Sequence, residues 1–146
     1  MTASELVIDA NVAIKLFVDE EFSNEAEQLF RGLTRTPPVR FFVPDLFFLE
    51  CANILWKYVR RYGHEPEKAR SDISSLLALP FQTVAAQDLS EASLDLALER
   101  GVSAYDASYA VLARTLEVPL ITADSKLIGK LETSGIEVWW LGNLPA

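Results

Sequence analysis

The chain has 146 residues, 50% of them hydrophobic and 23% charged, which is the size and balance of one globular domain. Its 13 Lys and Arg residues against 21 Asp and Glu give a net charge of −8, so there is no overall electrostatic attraction to nucleic acid. No apolar run reaches the roughly 18 to 20 residues of a membrane span and no basic-then-apolar leader precedes the first predicted strand, so we expect a cytoplasmic protein without membrane attachment.

Short apolar runs alternate with longer helical patterns along the chain, which predicts βαβ units and a parallel sheet. In the first half, the predicted elements are strand Leu6–Ile8, a helix capped by Asn11 to about Val18, a helix capped by Ser23 from Asn24 to about Leu33, strand Phe41–Val43, and a long helix from Asp45 to Arg61. The break at Thr36-Pro37-Pro38 separates the second helix from the second strand.

The second half continues the alternation. Its predicted elements are a helix from Pro66 to about Leu79, strand Gln82–Val84, a helix opening at Asp88-Leu89-Ser90-Glu91 and reaching Arg100, a helix opening at Ser103-Ala104-Tyr105-Asp106 and reaching Leu116, strand Pro119–Thr122, a helix from Ser125 to about Glu132, and strand Glu137–Trp140. Both four-residue openings have the pattern of a capping box. There is no internal repeat or linker, so we expect a single domain over residues 1–146.

Four acidic residues interrupt apolar surroundings at a strand end or on a helix: Asp9, Glu50, Asp106 and Asp124. Asp9 ends the first strand and Asp124 follows the fourth, so both project from the carboxyl edge of the sheet, where open α/β sheets bind ligands. The two meet there if the first strand is central and the fourth is its neighbour.

The other two acids lie on helices. Glu50 belongs to a thin polar stripe with Asn53 and Lys57 on an otherwise apolar helix. Asp106 opens a helix that is apolar nearly all round, and a buried charge there needs a partner. No Lys or Arg is close in sequence, so other acids with a divalent cation are a plausible compensation. Converging carboxylates would repel one another unless cations such as Mg²⁺ or Mn²⁺ neutralised them.

Each acid also has a purely structural explanation. Asp106 fits the last position of its capping box, Asp124 fits the cap of the final helix, and Glu50 fits a solvent-exposed face. The single histidine, His64, lies in a polar link between two helices and is expected to be an ordinary surface residue. One cysteine, Cys51, and one histidine exclude an intramolecular disulfide and a Cys/His zinc site.

Four segments together resemble the PIN-domain nucleases, most closely the VapC-type toxins of toxin–antitoxin pairs. They are Asp9-Ala10-Asn11, Glu50 with Asn53, Tyr105-Asp106-Ala107-Ser108-Tyr109, and Thr122-Ala123-Asp124. The resemblance implies a three-layer α/β/α fold with a five-stranded parallel sheet of order 3-2-1-4-5. It also implies that Asp9, Glu50, Asp106 and Asp124 hold Mg²⁺ or Mn²⁺, with Asn11 and Thr122 as supporting residues that could equally be a helix cap and a strand polar residue.

The implied activity is metal-dependent endonucleolytic hydrolysis of single-stranded RNA, and the implied partners are a second copy of the chain and a VapB-like antitoxin. Lys15, Lys126 and Lys130 are candidate contacts to the phosphate backbone. Part of the long helix, which carries the large side chains Phe47, Phe48, Trp56 and Tyr58, is a candidate dimer or antitoxin surface, although core packing explains Phe47, Phe48 and Tyr58 as well.

Three other function classes compete with this interpretation. An aspartate-nucleophile phosphatase also begins with Asp after its first strand, but it shows a second Asp two positions on, where this chain has Asn11. A phospho-acceptor receiver domain needs an acid after its third strand, where this chain has Ala85-Ala86. A PIN-like module that binds RNA or protein without turnover would keep the acids, and an intact set of four argues against it.

Overall fold

The computed structural model describes residues 3–145, and it shows five strands that alternate with helices. The strands are β1 (Glu5–Ile8), β2 (Arg40–Pro44), β3 (Gln82–Val84), β4 (Leu120–Thr122) and β5 (Val138–Trp140). The helices are α1 (Ala10–Ala13), α2 (Ser23–Phe30), α3 (Phe47–Tyr62), α4 (Pro66–Leu77), α5 (Ala86–Arg100), α6 (Ala104–Leu116) and α7 (Ser125–Lys130). Single 3₁₀ turns cover Ile14–Leu16, Arg31–Thr34 and Leu141–Asn143.

All strands are parallel and lie in the order β3-β2-β1-β4-β5, as predicted. The central strand β1 pairs with β2 through Leu6 and Phe41 and with β4 through Val7 and Leu120. Successive side chains of a strand point to opposite faces, and Leu6, Val7 and Ile8 are all fully buried. Helices therefore cover both faces of the sheet, which makes the three layers that were predicted.

The core combines the sheet with one almost wholly buried helix. Seven consecutive residues of α6, from Ala107 to Ala113, are buried, as the apolar pattern predicts. Helix α6 packs against α5, β1 and β2. On β2, the ring of Phe41 lies edge-on to Phe30 at a centroid distance of 4.9 Å. The position of α6 brings its first turn, and so Asp106, to the carboxyl edge of the central strands.

Two predicted helix starts are wrong. Helix α1 begins at Ala10 with Asp9 at its cap position, so Asn11 is not the cap. Helix α2 begins at Ser23, and the cap position is Phe22, which has a left-handed backbone with φ of 69°. The Ser23 hydroxyl instead donates to the carbonyl of Val18 and accepts from the backbone N–H of Glu20. Ser23 thus closes the preceding loop and does not cap the helix.

A long-range hydrogen bond connects the segments that follow β2 and β3. Helix α3 starts at Phe47 and not at Asp45, whose Oδ1 accepts a hydrogen bond of 2.9 Å from the backbone N–H of Ala86. That bond satisfies the first turn of α5, which starts two residues before the predicted capping box at Asp88. The capping of α6 is confirmed, since Ser103 Oγ accepts a hydrogen bond of 3.0 Å from the backbone N–H of Asp106. No helix within residues 3–145 has the length and apolar character to cross a bilayer.

Candidate active site

Asp9 lies directly after β1 and is only 5% exposed. Thr122, at the end of the neighbouring strand β4, donates a hydrogen bond of 3.0 Å to Asp9 Oδ2. The same hydroxyl oxygen accepts from Asn11 Nδ2 at 3.3 Å and from the backbone N–H of Asp124 at 3.1 Å. Asn11 Oδ1 in turn accepts from the backbone N–H of Ala123 at 3.1 Å. This network joins the carboxyl ends of β1 and β4, so Asp9 and Asp124 lie at one edge of the sheet, as predicted.

Glu50 lies in the first turn of α3 and faces α6. The hydroxyl of Tyr109 on α6 donates a hydrogen bond of 2.6 Å to Glu50 Oε1. Tyr109 is fully buried, so a firmly packed side chain orients the half-buried Glu50 carboxylate. A hydrogen bond to a charged acceptor from a buried donor is of the stronger kind in proteins.

Asp106 and Asp124 occupy helix N-termini at the same edge of the sheet. The backbone N–H of Asp106 is bound by Ser103, while Asp124 Oδ1 accepts from the backbone N–H groups of Lys126 at 2.9 Å and Leu127 at 3.3 Å. Asp124 therefore caps α7, which is the structural role that the sequence offered for it. The positive end of the helix dipole also favours a carboxylate at such a position.

The four carboxylates are close enough to perturb one another. Burial and the charges of Asp106 and Glu50 raise the pKa of Asp9 to about 7, although hydrogen bonds from Thr122 and Asn11 lower it. Burial and Asp106 raise the pKa of Glu50, and burial and Asp124 raise the pKa of Asp106. The groups that shift these three pKa values include no Lys or Arg of the described chain. Asp106 is the acid that interacts with all three others.

The donor chemistry of this cluster fits a hydrated hard cation. Within residues 3–145, no three Asp, Glu, His or Cys side chains converge as a ready-made set of metal ligands. Mg²⁺ commonly keeps several waters and takes only one or two protein carboxylates, so a closed protein cage is not required. Carboxylate oxygens without nearby imidazole or thiolate are the donors that Mg²⁺ and Mn²⁺ prefer. The repulsion among the acids is the unfavourable energy that such a cation would relieve.

The profile of the PIN domain matches residues 6–130, a span that contains all four acids. The chain belongs to the PIN-domain family. Ribonuclease VapC3 of Pyrobaculum aerophilum is 33% identical to it over 129 residues, which are 86% of this chain and 94% of that protein. Exonuclease VapC9 of the same organism is 34% identical over 85 residues, which are 58% of this chain and 62% of that protein.

A solved structure shares the architecture as well. A chain of a toxin–antitoxin complex from Klebsiella pneumoniae superposes with a TM-score of 0.63 at 22% identity, covering 93% of this chain and 97% of that one. The parallel sheet, its strand order and its flanking helices are thus those expected of a PIN domain.

The structure of this PIN domain brings all six predicted site residues to one edge of the sheet. Asp9, Asn11, Thr122 and Asp124 are joined by hydrogen bonds, directly or through Thr122. Glu50 and Asp106 lie close enough to this cluster that their charges raise the pKa of Asp9. Sequence reasoning missed Tyr109, which holds Glu50. Its position three residues after Asp106, on the same side of a helix, was the available signal.

Two other sequence interpretations are wrong. Lys15 does not stand ready for a phosphate, because it forms an ion pair of 2.8 Å with Glu20 and its side chain is only 10% exposed. His64 is not an ordinary surface residue, since its Nε2 lies 2.8 Å from Oδ2 of the buried Asp72 on α4. A cavity of about 720 Å³ lies beside these groups, lined by residues that include Phe17, Glu20, His64 and Lys68.

Proposed function

We propose that this PIN domain is a Mg²⁺- or Mn²⁺-dependent endoribonuclease that hydrolyses phosphodiester bonds of single-stranded RNA. The observation that carries the proposal is the interaction of Asp106 with the three other carboxylates at the carboxyl edge of β1 and β4. Asp9 is buried and the other three acids are partly buried, and a set of like charges held in this way is costly and typical of metal and catalytic sites. The 33% identity to a protein named Ribonuclease VapC3 supports the same conclusion.

Each residue has a defined part in this proposal. Asp9, Glu50, Asp106 and Asp124 would hold the cation, which supplies an activated water and neutralises charge on the phosphodiester. Thr122 fixes the carboxylate of Asp9 by the hydrogen bond at Oδ2, and Asn11 fixes Thr122. Thr122 and Asn11 are therefore positioning residues.

The carboxylate of Glu50 is held in a similar way. Tyr109 donates to Oε1 and leaves Oε2 as the atom that can turn toward a cation. The ring of Tyr109 is fully buried, so the donor is fixed by the packing of α6. Groups that orient metal ligands in this manner commonly change metal affinity about 10- to 100-fold when they are replaced.

The proposed partners are a VapB-like antitoxin and a second copy of the chain. The antitoxin is supported by the structural likeness to a chain from a complex named as toxin with antitoxin. The homodimer is supported by two exposed leucines one helical turn apart on α5, Leu94 at 54% and Leu98 at 76% exposure. Light scattering on the wild type and on Leu98→Glu tests the dimer, which the variant should convert to monomer.

The activity is tested on a circular single-stranded RNA, because only an endonuclease can open a molecule without ends. We expect linear products with Mn²⁺ or Mg²⁺ and none with EDTA or with Asp106→Asn. The matched control is Asp95→Asn, the same chemical change at an exposed site on α5, which should cut like the wild type. Cleavage by Asp106→Asn at the wild-type rate would refute the proposed site. A linear RNA of the same sequence is assayed in parallel, and shortening of the linear RNA while the circle stays intact would show an exonuclease.

A catalytically silent PIN-like binding module is the second candidate. It is favoured by the absence, within residues 3–145, of three converging ligands. Such a module should bind the circular and the linear RNA in a filter-binding assay with Mn²⁺ present and should cleave neither of them.

A further inference from the structure

The second half of α3 carries a compact basic and aromatic surface on a chain that is acidic overall. We call it the α3 stripe, and it consists of Trp56, Lys57, Arg60 and Arg61. All four side chains are exposed, and Trp56 is exposed to 51%. Three of the chain's 13 Lys and Arg residues thus stand within two turns of one helix, although the net charge is −8.

No carboxylate between residues 3 and 145 neutralises the positive charges of the α3 stripe. Among residues 3–145, the ion pairs with carboxylates engage Lys15, Arg40, Lys68, Arg70 and Arg100. No carboxylate lies within ion-pair distance of Lys57, Arg60 or Arg61 in the described chain. Their charges are therefore available to an anionic ligand.

The stripe also offers a flat aromatic surface and a shallow groove. The guanidinium of Arg60 lies over the ring of Trp56 at 4.8 Å from its centroid, which holds both planar groups in place. A groove of about 120 Å³ is lined by the four stripe residues. Exposed aromatic rings and arginine planes on which bases stack, combined with cations for the backbone, are typical of surfaces that bind single-stranded nucleic acid.

Two residues of the stripe lie on the side of α3 that carries Glu50. Lys57 follows Glu50 by seven residues and Arg61 follows it by eleven. At about 100° per residue, both return to within about 20° of the direction of Glu50. At about 1.5 Å per residue, they lie about 10 and 16 Å farther along the helix axis. Asn53, which is exposed, lies between them and Glu50.

We propose that the α3 stripe binds the phosphate backbone of single-stranded RNA on one side of the cleavage site, with a base stacked on Trp56. The proposal rests on the nuclease function proposed above. It supplies the cationic contacts that the acidic net charge leaves unexplained. Lys15 cannot supply them because it is paired with Glu20, whereas Lys126 and Lys130 on α7 are exposed and can add to the contacts that the stripe makes.

The test compares RNA binding by two triple variants, both made in Asp106→Asn protein so that the RNA stays intact. One variant carries Lys57→Gln, Arg60→Gln and Arg61→Gln. The matched control carries Arg31→Gln, Arg35→Gln and Arg114→Gln, three exposed arginines that have no carboxylate partner within residues 3–145 and precede β2 or β4, near the opposite edge of the sheet. Both lose the same charge.

Binding of a short fluorescein-labelled single-stranded RNA is measured by anisotropy over a range of KCl concentrations at constant Mg²⁺. The slope of log K against log salt is negative, and each lost phosphate contact makes it shallower by about 0.7 for a single strand. We expect the slope of the stripe variant to be shallower by about 2 and the slope of the control variant to be unchanged. Trp56→Ala alone should weaken binding about tenfold with an unchanged slope.

The outcomes separate this proposal from the nuclease function. Equal slopes for the stripe and control variants would overturn the proposal, even if the wild type opens circular RNA. A reduced slope only in the stripe variant supports it, even if the wild type cuts nothing. Unchanged RNA binding together with a stripe-dependent loss of binding to poly-glutamate would overturn it in favour of an acidic protein segment as the ligand.

Discussion

Replacing Asp9 by asparagine should change how the stability of the protein depends on pH. Burial and the neighbouring acids raise the pKa of Asp9 from 3.8 to about 7. Between these two values the folded state keeps a proton that the unfolded chain has lost, so the free energy of unfolding falls as the pH rises. One pKa unit corresponds to about 1.4 kcal/mol. The folded-state carboxyl is itself half ionised at about pH 7, so from about pH 5 to about pH 7 the wild type should lose about 2 kcal/mol through Asp9 alone.

In Asp9→Asn this loss should be absent, because the amide does not titrate. Asparagine keeps the volume and an oxygen that can accept from Thr122, so the fold should be retained. Urea unfolding with EDTA present, followed by the fluorescence of the three tryptophans, gives the free energy at each pH. The quantity to compare is the change between about pH 5 and pH 8 within each protein, which cancels any constant cost of the substitution.

Asp95→Asn is the matched control and should keep the wild-type decline. Added Mg²⁺ at about pH 8 should stabilise the wild type more than Asp9→Asn, since a cation that binds only the folded state raises its stability. Equal pH dependence of the wild type and Asp9→Asn would refute the assignment of a raised pKa to this carboxyl. Equal stabilisation of both proteins by Mg²⁺ would show that Asp9 is not a ligand.

Three further substitutions test single contacts of the site and the core. Tyr109→Phe removes the donor to Glu50 and should cost about 1.5 to 3 kcal/mol by urea unfolding, and an unchanged midpoint would contradict this. Asp124→Asn should lose cleavage but keep the thermal midpoint, because asparagine also caps helices. Asp124→Ala should lose cleavage and also about 1 kcal/mol of stability, because alanine cannot cap α7. Phe41→Ala leaves a cavity in place of a fully buried ring that packs on Phe30, and it should cost about 3 to 5 kcal/mol in denaturant titrations. A loss below about 1 kcal/mol, which is typical of a surface change, would be inconsistent with that packing.

The tertiary structure confirms most of what the local patterns predict. The short apolar runs are the five strands, with ends that differ by at most one residue, and Ser103 caps α6. These features depend on the spacing of hydrophobic residues and on contacts between residues a few positions apart, and both can be read from the sequence. The acids were likewise visible because each stood out against an apolar surrounding.

The errors have a common origin in contacts between distant parts of the chain. The predicted capping box at Asp88 was a plausible local signal, but Asp45, which is 41 residues away from Ala86, satisfies the start of α5. His64 has the neighbours of a surface loop and is nevertheless held by the buried Asp72. In both cases the local pattern was equally compatible with two arrangements, and packing selected one of them.

The chain by itself determined the class of fold and the set of acids, because hydrophobic period and residue type are local properties. Only the tertiary structure decided that Asp106 interacts with all three other carboxylates and that Tyr109 rather than solvent holds Glu50. It also decided that Lys15 forms an ion pair, whereas the cations of α3 have no carboxylate partner among residues 3–145. Charge repulsion, burial and ion pairing depend on distances in space between residues up to more than a hundred positions apart, and only the folded path of the backbone sets those distances.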